Sequence, residues 1–319
     1  MLPRDQAGSM EFVGGTGAVM HPISMPGFLE IYKVDRTFKA LTPDDVDPKR
    51  TKPNVPWAWA ITDDAGSANP IIARVFIQCA EALKDKKLTR GDSENIKISL
   101  HTAKEDLRKC EKAFLKVAAA QNAIVEEIQK TGGLKIERRV VNNLPQVAHL
   151  EDEATVFLIN AKRAVQNIAE VLNDFFGITI KNGNFSIGIK QLRALQPSPD
   201  ELLKVLDIFE PKIKRIVDMR NSQEHTPKKT FVENFRLTAD AILPPSWRIN
   251  PEPDAEILPE MHSMIGEIIE LAECCFFHGL IQNLEPFGPF QYVVEEIPLE
   301  HRNGTALLLR CELQFANPS

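Results

Sequence analysis

Among the 319 residues, the stretch Arg220-Asn221-Ser222-Gln223-Glu224-His225 brings together the side-chain types that acid–base work on a phosphate needs. A guanidinium is always charged and presents a planar fork of donors that matches phosphate oxygens. An imidazole titrates near neutrality and can give or take a proton. Spacing matters through helix geometry. Leu202, Leu206, Phe209, Ile213 and Ile216 mark one helix face, and a further step of four lands on Arg220, at the edge of the buried side. Five residues turn a helix through about 140° relative to a common face. His225 therefore joins Arg220 if the helix ends between them, and Thr226-Pro227 supplies such an ending. At a helix C-terminus the exposed carbonyls favour imidazolium, which suits a general acid and helps hold an anion. The plainer alternative is a solvated helix face on which Arg220 and His225 cap the last carbonyls.

The surroundings of this stretch are basic. Between Lys212 and Lys229 there are six cations (Lys212, Lys214, Arg215, Arg220, Lys228, Lys229) against two acids (Asp218, Glu224), a local excess of four in a chain of formal charge −6. Lys212, Lys214, Arg215, Lys228 and Lys229 are accordingly the candidates for tracking a phosphate backbone. Other chemistry-bearing residues are poorer candidates. His101, His149, His262 and His278 lack H-E-x-x-H or paired i, i+4 spacing and read as surface or core histidines, so no metal site is expected. Gly14-Gly15-Thr16-Gly17 lacks the spacing and the lysine of a phosphate loop. Asp44-Asp45 and Asp63-Asp64 read as turns. Trp57 and Trp59 could stack a base, but beside Pro56 they read as pins holding the N-terminal segment to the rest. No Ser-His-Asp arrangement can be argued from the spacing.

Composition bounds the reading. With 43% hydrophobic, 26% charged and 7% aromatic residues, the chain is that of an ordinary folded protein, not a disordered, collagen-like or disulfide-stapled one. The acidic balance excludes a globally basic nucleic-acid coat. Cys79, Cys110, Cys274, Cys275 and Cys311 are odd in number and lack C-x-x-C spacing, so they read as reduced thiols, with Cys274-Cys275 buried in a helix. The opening Met1-Leu2-Pro3-Arg4 has no apolar core of a secretion signal, and no run of about 18 apolar residues occurs. A cytoplasmic location, no membrane partner and unmodified sequons at Asn184 and Asn303 are expected, with Met10 as an alternative start.

The elements that position the motif are legible from periodicity. Residues 1–68 are rich in turn formers, with strand-like bursts at 28–32 and 55–59. Residues 69–143 form a helical region. One helix runs from the cap Asn69-Pro70 to about Asp85 and buries Ile72, Phe76, Cys79 and Leu83. A longer one carries Leu107, Cys110, Phe114, Val117, Gln121, Ile124 and Ile128 up to Gly132-Gly133, and Leu134–Val141 reads as a short strand or connector. Over 144–285 the spacing predicts helices at 151–176, 187–195, from Asp200 onward and at 256–284, with a non-helical insertion at 228–253 whose likeliest strand is 231–243. Pro211 is expected to kink or split the third of these. Strands at 291–297 and 306–315, joined through Asn303-Gly304, complete a C-terminal hairpin over 286–319. The fold class is mainly α (α+β), a helical bundle with a small antiparallel sheet from the N- and C-terminal segments.

Residues 150–285, through Arg220, Asn221 and His225, resemble the HEPN family, helical-bundle proteins of which many are metal-independent ribonucleases with an R-[polar]-x-x-x-H motif. The resemblance implies a homodimer that brings two motifs together, with the RNA's own 2′-hydroxyl as nucleophile. Arg220 would stabilise charge on the phosphate, His225 would act as acid or base, and Asn221 would orient the pair. It implies RNA as partner, an antitoxin or other protein as a further one, a toxin or phage-defence setting, and no cofactor. The alternative is a non-catalytic interaction protein built on the same bundle. Orientation separates the two: convergence of Arg220 and His225 in an open cationic groove favours the enzyme.

Overall fold

A computed structural model describes residues 11–315 apart from 85, 134, 135, 138, 139, 142, 225–229, 240, 286, 287, 299 and 301–308. Two long helices form the scaffold. Helix α3 (Ser93–Lys130) starts at Asp92, whose carboxylate accepts the Glu94 amide at 2.8 Å and so satisfies an orphan donor at the positive end of the helix. Its stripe of Ile96, Leu100, Ala103, Leu107, Cys110, Ala113 and Val117 is buried along α4 (Leu150–Phe176), which answers with Ala154, Phe157, Ala161, Ala164, Ile168 and Val171. Small residues on both stripes let the backbones approach closely. The later members of the expected stripe, Gln121, Ile124 and Ile128, are half-buried, so the last turns of α3 run past the centre of the core. Helix α4 stops at Gly177, whose φ of +62° closes its amide onto the Asn173 carbonyl, a conformation that glycine adopts without steric cost.

Helices α5 (Phe185–Arg193) and α6 (Asp200–Glu224) pack beside α4, and α7 (Ile257–Asn283) closes the bundle against α3, α4 and α6. These spans match the periodicity to within two residues at the ends that can be compared. The expected break at Pro211 does not occur: α6 is continuous from Asp200 to Glu224. Pro211 is exposed, so the carbonyl one turn earlier, at Asp207, loses its amide partner on the solvent side, while buried Phe209 and Ile213 hold the opposite face in the core.

The segment expected as an α-helix over 69–85 forms a seven-residue π-helix (Ile71–Ile77) leading into α2 (Gln78–Leu83). Asn69 caps it, its Oδ1 accepting from the Ile71 amide at 2.9 Å. All seven π-helical residues are buried. They are enclosed by the N-terminal sheet, α3 and α7, so the single stripe expected of a surface helix is replaced by burial on every side. π-Helical turns are rare and are often found at functional sites.

Strands β1 (Met20–Met25), β2 (Phe28–Tyr32), β3 (Thr37–Leu41) and β4 (Ala58–Asp63) form an antiparallel meander, with the short α1 (Pro43–Val46) between the last two. Asp45 is the partner of Thr42 in a capping box that starts α1. Side-chain alternation sends Ile23, Met25 and Tyr32 into the bundle core and Ile31, Phe38 and Ala40 to the other face, where Phe12 covers them. Trp59 packs on Phe12 and Phe38 on that outer face, and Trp57 and Trp59 are 44% and 37% exposed. Trp59 does not pin the segment to the bundle, because it packs on the face of the sheet turned away from it.

The connector after α3 pairs as β5 (Ile136–Glu137) with β6 (Val140–Val141). The 228–253 insertion is more broken than expected. It forms β7 (Thr230–Glu233), β8 (Arg236–Leu237), β9 (Ile242–Leu243) and β10 (Ser246–Ile249), and β10 lies between β7 and β11 (Ala255–Glu256). Trp247 on β10 packs in the core against Phe157. At the C-terminus, β12 (Phe290–Glu296) pairs with β13 (Leu309–Phe315) in continuous register. The Asn303-Gly304 turn lies outside the described residues. The N- and C-terminal strands do not form the single sheet expected from sequence: the meander docks through Glu30 and Tyr32 onto α3, whereas the hairpin lies on α7. The protein is thus mixed α+β, about 52% helical. No helix among the described residues is long and apolar enough to cross a membrane.

Candidate functional site

The last turns of α6 carry the expected site residues. Ile216 and Met219 are buried, so Arg220, next in the chain, stands half-buried at the rim as the stripe predicts. Asn221 accepts a hydrogen bond from Lys162 Nζ on α4 at 2.7 Å, and Gln223 donates to Thr155 Oγ1 at 3.2 Å. These two bonds fix the rotation of α6 about its axis. The buried Ser222 hydroxyl donates to the Met219 carbonyl at 2.8 Å. Thr230 Oγ1, at the start of β7, lies 2.7 Å from the same carbonyl and against the Ser222 hydroxyl, its single proton going to one of the two. The chain therefore leaves α6 at Glu224 and is bonded back to its final turns at Thr230. His225, Lys228 and Lys229 lie outside the described residues.

The cations on α6 are not equivalent. Arg215 is bound by Glu260 and Glu252, and Lys212 Nζ lies 3.3 Å from Glu267 Oε1 while resting over the Phe209 ring. Both therefore tie α6 to the α7 side of the molecule. Lys214 has no carboxylate within ion-pair distance among the described residues and lines a groove of about 480 Å³ between α6 and the 182–190 segment, whose α6 wall ends at Asn221. Sequence reasoning missed the opposite wall, Asn182, Asn184 and Lys190, because Asn182 and Asn184 precede the helix expected at 187–195 and no periodicity relates them to α6. It missed Lys162 too, whose only signal is its place next to Ala161 on the α4 stripe and which the structure shows half-buried.

A second polar cluster lies where β2 meets α3. Glu30, buried on β2, accepts from Tyr32 Oη at 2.5 Å and from Lys104 Nζ at 2.9 and 3.0 Å. His101 Nε2 is 3.0 Å from Glu30 Oε2, an ion-pair contact that lies off the hydrogen-bond direction. Burial would push the Glu30 carboxyl up, but the imidazole and the ammonium outweigh it and hold the carboxyl at about 2. Burial and the neighbouring Glu30 keep the Tyr32 phenol protonated. Glu30, His101 and Glu105 have the donor types of a metal site, with ligand atoms within 4.8 Å of one another. The Lys104 ammonium lies 2.9 Å from both carboxylates and holds the place a divalent cation would take, so the cluster is an ion-paired joint.

Two further joints are built alike. Arg108 on α3 holds Asp63 of β4 at 2.7 Å, and Arg74 of the π-helix holds Glu273 of α7 at 2.6 Å, both arginines being buried. The cysteines are free. Burial puts the Cys275 thiol well above its ordinary value and Cys274 at about 12, so neither is a thiolate near neutrality. Against known proteins, no family model, no curated protein and no solved structure matches this chain, and its function has to be argued from its own residues.

Proposed function

We propose that the protein is a HEPN-like, metal-independent endoribonuclease that acts as a homodimer, with Arg220 and His225 as its catalytic residues and Asn221 positioning them. The observation that carries this reading is the anchoring of the motif. Ser222 and Thr230, which flank residues 225–229 in the chain, meet at the Met219 carbonyl, next to Arg220. Such anchoring holds the last turns of α6, and with them Arg220 and Asn221, in one place.

In the reaction, the ribose 2′-oxygen bonds to the phosphorus while the bond from phosphorus to the 5′-oxygen breaks. A base takes the 2′-hydroxyl proton and an acid protonates the departing 5′-oxygen. The two motifs of a dimer supply one imidazole to each task, and the Arg220 guanidinium neutralises charge on the non-bridging oxygens. Lys162, held on Asn221, adds a cation on the same side of α6. The test is the chemistry of the product ends. This mechanism leaves a 2′,3′-cyclic phosphate and a 5′-hydroxyl, whereas 5′-phosphate ends contradict it.

A second reading is supported by Arg215 and Lys212, whose pairing with Glu252, Glu260 and Glu267 serves the bundle itself. In that reading the bundle is a non-catalytic interaction module.

A further inference from the structure

The groove beside the motif has its own chemistry. One wall is a face of α6 on which Glu210, Ile213, Lys214, Val217, Asp218 and Asn221 follow at steps of three and four. The other begins at the Asn182-Gly183 turn, where both residues take positive φ, +55° and +70°. That turn brings Gly183 so close to α4 that a Cβ there would lie 3.2 Å from Val165. The groove is therefore built on a tightly packed corner, not on a loose loop.

Its lining is mixed in a particular way. Ile213 and Val217 give an apolar strip. The carboxamides of Asn182 and Asn184 each offer a donor and an acceptor, while the oxygen of Asn221 accepts from Lys162. Lys190 and Lys214 are cations without a carboxylate partner among the described residues, whereas Glu210 is engaged by the Ser186 hydroxyl. Asp218 is exposed at the rim.

Two cations balanced by two carboxylates do not make a sink for a bare anion. They suit a ligand that is anionic at one end and carries amino and carbonyl groups on a flat, partly apolar body. The volume of about 480 Å³ is in the range of small-ligand clefts, roughly 300–1,000 Å³.

We propose that this groove is a nucleotide subsite that holds one unpaired nucleotide of the RNA beside the phosphate to be cut. Lys190 and Lys214 contact its backbone phosphates. The carboxamides of Asn182 and Asn184, with the Asp218 carboxylate, read the base edge over the Ile213–Val217 strip. The proposal rests on the ribonuclease reading for its placement next to a scissile bond, but the binding it describes is separable from cleavage.

The test uses the full chain carrying Arg220→Ala, so that RNA is bound and not consumed, and fluorescein-labelled ten-nucleotide U, C and A homopolymers measured by anisotropy over a range of salt. Lys190→Ala/Lys214→Ala is expected to weaken all three at least fivefold and to flatten the slope of log affinity against log salt by about 1.4, from about 0.7 for each of two lost phosphate contacts on a single strand. Asn182→Gly/Asn184→Ala keeps a residue that tolerates positive φ at 182 and is expected to change the ratio of affinities among the homopolymers with the slope unchanged. Because Asn182, Asn184, Lys190 and Lys214 are exposed, unchanged thermal melting relative to the Arg220→Ala parent serves as the folding control.

If neither pair of substitutions alters binding while the parent cuts RNA, the subsite is overturned and the ribonuclease reading survives. If the parent does not cut but both pairs change binding as stated, the subsite stands as a binding site and the ribonuclease reading falls. If no homopolymer binds, the subsite is overturned outright.

Discussion

Glu30 shows how single residues hold this fold together, because burial and charge act on it in opposite directions. Its carboxyl is held at about 2 against an ordinary 4.5, so the unfolded chain takes up the proton first as pH falls. The stability it contributes is full above about pH 4.5 and is lost as pH falls towards 2. Glu30→Gln is expected to flatten the fall of melting temperature between pH 5 and pH 2.5, and an unchanged slope would show that other carboxylates dominate. Lys104→Met removes the ammonium and leaves Glu30 buried with only His101 and Tyr32 as partners, a loss of about 3 kcal/mol in urea unfolding, part of which Glu30→Gln in the same chain should restore. None of this was legible at His101 or Lys104. Each reads as an isolated side chain on a helix, and their partner lies on a strand whose pairing with α3 is a tertiary event. Arg220 was legible, since its position relative to Ile216 needs nothing beyond the helical repeat.

At the scale of elements, the long helices were readable because their stripes, caps and stops agree. Asn69, Asp92 and Gly177 each do at the helix end what their side chains or their φ permit. Pro211 was misread because a proline inside a helix costs less where the lost hydrogen bond faces water and the other face is locked in the core. Pro211→Ala is expected to stabilise the protein by about 1–3 kcal/mol; a loss of stability would mean that the proline relieves a strain on α6. The crossing of α7 over α4 depends on Gly279, where a Cβ would meet the Phe175 ring at 2.3 Å. Gly279→Ala should cost about 1–3 kcal/mol by overpacking, and Phe175→Leu added to it should recover part of the loss. The meander escaped the sequence in part. Two of its strands, β1 and β3, alternate too weakly to stand out, and the π-helix looks like an ordinary amphipathic helix until its full burial is seen.

Across the whole molecule, the N-terminal sheet, the π-helix and the bundle are joined by three buried or half-buried ion pairs, Glu30–Lys104, Asp63–Arg108 and Arg74–Glu273. Charged joints of this kind specify which surfaces meet, and they are weakened by acid more than by salt because water is excluded from them. The mixed α+β class followed from the alternation of helical and turn-rich segments along the chain. The separation of the N- and C-terminal strands did not, because strand partners are chosen by which helix each segment covers. The candidate site was half legible: the motif could be read along α6, but the groove facing it is made by the Asn182-Gly183-Asn184 corner, which sequence alone reads as a turn. The most direct test of the central claim is cleavage of RNA by the purified protein in EDTA, with the parent compared with Arg220→Ala and His225→Ala at equal folded concentration. The account predicts cutting by the parent in chelator and its loss, by a hundredfold or more, in both variants. RNA left intact by the parent, or cut equally by the variants, would contradict it.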